Sequence, residues 1–475
     1  MPSCFSPSTR NKGKPNCDTM AAGLDSSKYK MTVPSFLSDN VPPMGIYETL
    51  YAFKDSFGAF MGTEGTHPWS QGFPLTTKLT GDPADPADGP ELPSSVEVTF
   101  EDRFYPKAWG HPALRKTIAD YYNKYYVNDP KCNEGLSDEE RKLKETYLNK
   151  TPIDEENIMI FAGGRPGIYT VLAFLKKDVE VRISNMEWPA YLDIMEATNT
   201  SWTVVPCNLE NEFRPTNDQY YEIRKTLNYK KKIFPIISNP GNPTGHVRCG
   251  DELKHLVHTL AEKNGEGLLL DEAYEMYHNP AVSGLAYAED LENSNLFFTG
   301  ACTKGLQCPG IRIGWMIASK KNIETLSNFS SFGMGGVSHP SQHYAVKLFE
   351  PVRVAQARKA VQKHYDWQRK RYGEAFKELG LKIHTGNGGF YHWLELPEGM
   401  DCRELNKRLF KKGAAILEGP NCDMARPHSK DESYQSPYLR FFRFSFGPLL
   451  PETFEEDVKI FSEVYKQYKK DIGIA

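Results

Sequence analysis

Between residues 157 and 320 short, unbroken apolar runs alternate with amphipathic stretches, and Gly, Pro and Asn punctuate the joins. Asn-Ile-Met-Ile-Phe-Ala (157–162) leads through Gly-Gly to a helical stretch at 167–177. Val-Glu-Val-Arg-Ile-Ser (179–184) leads to a helix at 190–198. Ile-Phe-Pro-Ile-Ile-Ser (233–238) ends in Asn-Pro-Gly-Asn-Pro-Thr-Gly (239–245), ahead of a helix at 250–263. Gly-Leu-Leu-Leu-Asp (267–271) is a further strand. Strands that are apolar throughout are covered on both faces, which predicts an α/β fold with a mainly parallel sheet.

The C-terminal third has a different rhythm. A long helical stretch at 340–378, kinked at Pro351, precedes strands at 381–385, 388–396 and 438–446 and a helix at 452–470. This predicts a smaller α+β unit, completed by residues 31–110. The expected organisation is a disordered tail (1–30), an N-terminal arm and part of the small domain (31–110), a large domain (111–340), and a connecting helix with the C-terminal small domain (341–475). Two polar, Pro-containing loops interrupt the pattern at 79–95 and 419–437, and the second is expected to cap the site.

Composition narrows the class. The chain has 475 residues, 39% apolar and 25% charged, with a net charge of −4. It is long enough for two or three compact units. The near-neutral balance lacks the basic footprint of a nucleic-acid binder, and no apolar run reaches membrane-spanning length. Nine scattered cysteines suit reduced thiols in a cytoplasmic or similar space. Cys302 and Cys308 read as small apolar fillers, and no metal site is expected. The polar tail, with Arg10, Lys12 and Lys14 ahead of its first acid, leaves an organellar transit peptide as the alternative to a cytoplasmic location.

The chemistry concentrates where the strands end, which is where open α/β sheets bind ligands. Thr303-Lys304 falls between the apolar runs 295–301 and 311–318, with Arg312 eight residues on. An amine among buried strands is costly unless it is paired or used, and a primary amine with a lowered pKa can form a Schiff base with an aldehyde. Arginine supplies a planar fork for phosphate. An aldehyde and a phosphate together point to pyridoxal 5′-phosphate (PLP). Asp271, closing an apolar strand, suits a protonated pyridine nitrogen, with a helix N-cap as the plainer reading. Asn242 and Tyr274 can both donate to the cofactor's phenolic oxygen. Gly163-Gly164-Arg165 lies between a strand and a helix, a favourable place for an anion. Trp188 can lie on the ring. In 439–446 alternation puts Arg440 and Arg443 on opposite faces, so one guanidinium is buried and needs an anion: a substrate carboxylate, or an internal salt bridge. Trp69, Phe73, Trp109 and Tyr191 hint at an aromatic-lined pocket.

These residues, in this order and together with Gln-Gly-Phe-Pro (71–74), Tyr105 and Gly110, resemble fold-type I PLP-dependent enzymes of the class I/II aminotransferase family from about 31 to 470. The resemblance implies a large domain with a seven-stranded, mainly parallel sheet flanked by helices and a smaller α+β domain built from both termini. It implies that Lys304 carries the cofactor as a Schiff base and that Asp271 binds the pyridine nitrogen. Asn242 and Tyr274 would bind the phenolic oxygen. Gly163, Gly164, Arg165, Thr303 and Arg312 would surround the phosphate. Tyr105 would reach the phosphate of a neighbouring subunit, making a homodimer with shared sites. Gly72 and Arg443 would meet substrate, and Arg165 is a second candidate for it. The expected reaction moves an amino group between an L-amino acid and a 2-oxo acid. The same spacing also resembles aminocyclopropane-carboxylate synthases and PLP-dependent arginine oxidases; a regulatory protein of this fold would need an N-terminal DNA-binding module that 1–30 is too short to supply. Two departures stand out: Ala301 occupies a position where the family often has Ser or Thr, and the phosphate loop carries Arg165-Pro166, a less usual pair.

Overall fold

The structure, a computed structural model, describes residues 43–222, 231–427 and 433–474. The tail at 1–30, and part of the loop at 419–437, lie outside them.

Seven strands form the main sheet: β1 (Ile158–Phe161), β2 (Val179–Ser184), β3 (Trp202–Val205), β4 (Lys232–Ser238), β5 (Gly267–Asp271), β6 (Asn295–Ala301) and β7 (Gly314–Ile317), in the order β1-β7-β6-β5-β4-β2-β3. β2 through β6 pair in parallel, while β7 runs antiparallel to both its neighbours, β1 and β6. The mainly parallel sheet expected from the apolar runs is present. Successive residues supply opposite faces, as strand geometry requires. Leu268 and Leu270 pack on one side with Ile158, Ile160 and Phe298. Leu269 packs on the other with Met159, Phe161, Phe234 and Phe297. Helices cover both sides: α2 (Pro112–Tyr126), α3 (Asp138–Lys144), α4 (Gly164–Ala173), α5 (Ala190–Ala197), α6 (Gly250–Lys254, continued as a π-helix over His255–Glu262) and α7 (Lys320–Gly333).

A second sheet of four antiparallel strands, β8 (Lys382–Ile383), β9 (Tyr391–Glu395), β10 (Leu417–Glu418) and β11 (Phe441–Ser445), is ordered β10-β11-β9-β8. It packs with α9 (Pro351–Glu378), α10 (Cys402–Phe410) and α11 (Phe454–Asp471). Helix α1 (Gly45–Phe57), the first described element, lies against α10 and β10. Trp69 is fully buried against Phe444 and Phe461 and donates its indole N–H to Asp457 of α11.

The long helix expected at 340–378 is two helices, α8 (His339–Leu348) and α9. Pro351 takes the first helical position, where its missing N–H costs nothing. The Glu350 carboxylate accepts from the amides of Val352 and Arg353. The chain therefore breaks and restarts instead of kinking. A buried ion cluster ties α9 to the rest: Arg358 donates to Glu275 (2.7 Å) and to the hydroxyls of Tyr121 (2.5 Å) and Tyr126 (3.1 Å), with its guanidinium 3.9 Å from the Tyr125 ring centroid.

Candidate active site

The parallel strands and the antiparallel β7 converge on one end of the sheet. β1, β4, β5 and β6 finish there and β7 starts there, so Gly163, Asn239–Gly245, Asp271, Lys304 and Arg312 come from five separate stretches to one place. These stretches surround a cleft of ≈ 420 Å³ lined by Gly72, Gly164, Arg165, Trp188, Asn242, Asp271, Tyr274, Thr303, Lys304, Arg312 and Arg443, among others. Of the cofactor and substrate residues expected from the sequence, Gly163 and Tyr105 are not in the lining: Gly163 makes the turn just before Gly164, whereas Tyr105 is 95% exposed and away from the cleft of its own chain.

Lys304 follows β6 and donates to the carbonyl of Gly72. Burial, and then the charges of Arg443 and Arg165, lower its pKa to about 7, while Asp271 opposes the shift. Burial among cations thus weakens the amine's hold on its proton. Asp271 closes β5. Burial raises its pKa, countered by hydrogen bonds from the Tyr191 hydroxyl (2.7 Å to Oδ2) and the Ala273 amide (3.1 Å to Oδ1). The Ala273 bond retains something of the plainer N-cap reading, but the cleft and Lys304 lie beside the same carboxylate.

Around Arg443 runs a buried polar network. Arg443 is fully buried on β11 and donates to Asn242 Oδ1 (2.9 Å) and the Ser70 carbonyl (2.7 Å). Its Nε has no hydrogen-bond partner, and its guanidinium sits 4.2 Å from the Tyr391 ring centroid. Arg440, on the opposite face, pairs with Glu395. The internal salt bridge therefore falls to Arg440, and Arg443 keeps donor capacity toward the cleft. Asn242 Nδ2 lies 3.4 Å from the Tyr274 hydroxyl, which is 2.6 Å from that of Tyr391.

The other end of the cleft is built for an anion. Gly163, at φ +102°, turns the chain out of β1 into α4, and no side chain caps the first-turn amides of that helix. Uncapped N–H groups and the helix dipole favour an anion there. A Cβ on Gly163 would overlap the Arg312 guanidinium, which donates to the carbonyls of Pro309 (2.9 Å) and Ala162 (3.2 Å). Arg165 stacks on Trp188, 5.0 Å from its ring centroid. Thr303 and Ala301 both line the wall nearby.

Three features were not legible in the sequence. Tyr391 lines the cleft, yet in Gly-Gly-Phe-Tyr-His-Trp it looks like any strand aromatic. Met44, Ile46, Tyr47 and Leu50 of the α1 region form part of the wall, with no motif to mark them. The described part of the loop at 419–437 does not cap the cleft; it supports α1, with Asn421 donating to Thr49 Oγ1 (3.2 Å). The aromatic-lined pocket also needs correction. Only Phe73 lines the cleft; Trp69 is in the small-sheet core, Tyr191 braces Asp271, and Trp109 lies elsewhere, 39% exposed.

The set is chemically coherent for a flat, aldehyde-bearing, phosphorylated ring. It offers an amine near neutrality, a buried carboxylate with no arginine of its own, two donors beside each other, and an uncapped helix start with two arginines. PLP fits these residues.

Comparison with known proteins agrees. The Thermus thermophilus aspartate aminotransferase with maleate superposes with a TM-score of 0.68 at 18% identity, covering 91% of this chain and 100% of that one. An aminotransferase from Mycobacterium tuberculosis gives 0.69 at 18% identity, with 91% and 100% covered. At that identity the likeness establishes a shared fold. In sequence, the chain is 23% identical over 317 residues to an aspartate aminotransferase of Pyrococcus horikoshii, covering 65% of this chain and 72% of the relative. It is 24% identical over 327 residues to a 1-aminocyclopropane-1-carboxylate synthase of Nicotiana tabacum, covering 66% and 64%. The profile of the family described as Aminotransferase class I and II matches residues 97–429, and the chain belongs to that family.

Proposed function

We propose that this family member is a PLP-dependent transaminase that moves an amino group between an L-amino acid and a 2-oxo acid. The observation that carries the reading is the placement of Lys304, with a pKa near 7, and Asp271 in one cleft between an uncapped helix start and a buried arginine. PLP, when bound, supplies the aldehyde and the electron sink that a protein side chain lacks.

The chain's own residues then divide the work. Lys304 Nζ would hold the cofactor by its aldehyde and, as a free amine, would take the proton from the substrate Cα. Asp271, whose charged form the Tyr191 and Ala273 hydrogen bonds favour against burial, would hold the pyridine N–H. Asn242 and Tyr274 donate to the phenolic oxygen, and Trp188 covers the ring. The amides after Gly163, with Gly164, Thr303, Arg165 and Arg312, hold the phosphate. Arg443 binds the substrate carboxylate beside Gly72, where there is no side chain in the way: a Cβ there would stand 2.9 Å from Tyr391 Oη and 3.7 Å from Arg443 Nη2.

Tyr105 is assigned to the phosphate of a second copy. Phe100 (61% exposed) and Phe104 (62%) precede it in sequence. Exposed aromatic side chains of this kind suit burial in a two-fold dimer. No helix among the described residues is long and apolar enough to cross a membrane, and a cytoplasmic location is part of the proposal.

The test is to add PLP to purified protein and follow visible absorbance. The band should form with the wild type and not with Lys304→Ala. An amino donor alone should then convert the cofactor stoichiometrically to its amine form, and addition of a 2-oxo acid should convert it back to the aldehyde form. Oxygen consumption, or a ring-closed product without amine-form cofactor, would overturn transamination in favour of another reaction of the same fold.

A further inference from the structure

We propose that Asp102, His339 and His343 form a binding site for a divalent cation of the zinc class, outside the catalytic cleft. His339 and His343 are four residues apart at the start of α8, so they rise on one face of the helix. Asp102 comes from the short 3₁₀ turn Glu101–Arg103. One donor atom from each of the three lies within 4.8 Å of the others. Asp102 Oδ1 stands 2.7 Å from His343 Nε2 and 3.9 Å from His339 Nδ1.

Several details set this apart from a surface ion pair. The Asp102 side chain is only 5% exposed, and its other oxygen, Oδ2, accepts from the Thr99 amide (2.7 Å) and hydroxyl (3.1 Å). Thr99 thus fixes the carboxylate with Oδ1 turned to the imidazoles, the outer support that metal-binding carboxylates have. His339 Nδ1 is buried and has no hydrogen-bond partner. A plain Asp102–His343 pair leaves that nitrogen unmet, whereas a cation among the three satisfies it. Two imidazoles and a carboxylate suit zinc, and small rotations of the histidine side chains, 16% and 28% exposed, bring donors to tetrahedral spacing with the fourth position left to solvent. His111 packs edge-on against both rings. Its Nδ1 accepts from the Ala113 amide as the cap of α2 (3.2 Å), so that nitrogen is not offered to the cation and the ring shields the site. The bound cation would staple the 99–102 turn, and with it the segment leading to Tyr105, onto α8. The site does not depend on the cofactor assignment.

The experiment uses holoenzyme dialysed against chelator and titrated with zinc chloride by calorimetry, with cobalt(II) absorbance as a coordination readout. His339→Ala, His343→Ala and Asp102→Asn are titrated alongside, each checked for an unchanged cofactor band and circular dichroism. Other thiol and histidine sites contribute equally to all four, so the difference is the measure. We expect the wild type to bind one equivalent more than each variant, with affinity at that site at least about tenfold weaker in Asp102→Asn, which keeps the shape. The wild type alone should show intense four-coordinate cobalt bands. Superimposable titrations, or no uptake by the wild type at about 10 μM zinc, would overturn the proposal. Loss of PLP binding with zinc uptake intact would refute only the catalytic reading.

Discussion

Tyr191 donates its phenolic hydrogen to Asp271 Oδ2 across 2.7 Å, inside the protein, joining helix α5 to the end of strand β5. The bond favours the charged carboxylate against a burial that disfavours it. Tyr191→Phe removes one charge-assisted hydrogen bond while keeping the ring, a loss of about 1.5–3 kcal/mol. PLP affinity, titrated by absorbance, should fall about 10–100-fold. Unchanged affinity would show that Asp271 does not need this support.

Lys304 gives a pH signature in the cofactor-free protein. Its folded pKa, about 7, is below the ordinary 10.5. Between those values the unfolded chain holds the proton and the folded one does not, so stability rises with pH across this window. Below about 7 both states are protonated and the burial penalty is fully present. The slope reaches at most about 1.4 kcal/mol per pH unit. Urea unfolding at pH 7 and pH 9 should show the gain in wild type and lose this component in Lys304→Met; parallel pH dependences would contradict the lowered pKa.

Arg443→Lys keeps a charge but loses the fork that reaches Asn242 and Ser70 together. Steady-state kinetics should show kcat/KM lowered about 10–1000-fold for amino and oxo acids alike, carried mostly by KM. An equal loss in kcat with KM unchanged would assign the residue to something other than carboxylate binding.

Gly314 pairs with Phe161 of β1 on one side and Ala301 of β6 on the other. A Cβ there would overlap the backbone of Gly163 and Gly164. Gly314→Ala should cost about 1–3 kcal/mol in overpacking, seen as a lower Tm, and should weaken phosphate-dependent PLP binding. A variant that loses stability but binds PLP normally would separate the strand from the anion site.

Arg358→Ala leaves the Glu275 carboxylate buried without its cation. The expected cost is about 3–5 kcal/mol in denaturant unfolding. The double variant Arg358→Met, Glu275→Gln should recover part of it, because no buried charge remains.

Much of the sheet was legible because its strands are apolar on both faces: 179–184 and 267–271 match to the residue. β3 escaped, since Trp202–Val205 is a short, half-buried edge strand without an unbroken apolar run. α4 starts at Gly164, three residues before the sequence suggested. Gly163 absorbs the turn with its positive φ, and Pro166 fits the first helical turn, where a missing amide is harmless. Residues with distinctive chemistry, such as Lys304, Asp271 and Arg443, were visible because burial of a charge demands a reason. Tyr391 and the α1 wall were not, because aromatic and aliphatic side chains look alike in core and cleft.

Helix α1 supplies Ile46, Tyr47 and Leu50 to the cleft, yet it rests on α10, β10 and the turn at Gly419–Cys422. One lip of the pocket is therefore anchored to the four-stranded layer while the floor belongs to the seven-stranded one. Any rotation between the two layers widens or narrows the mouth directly, so access is geared to how the halves pack.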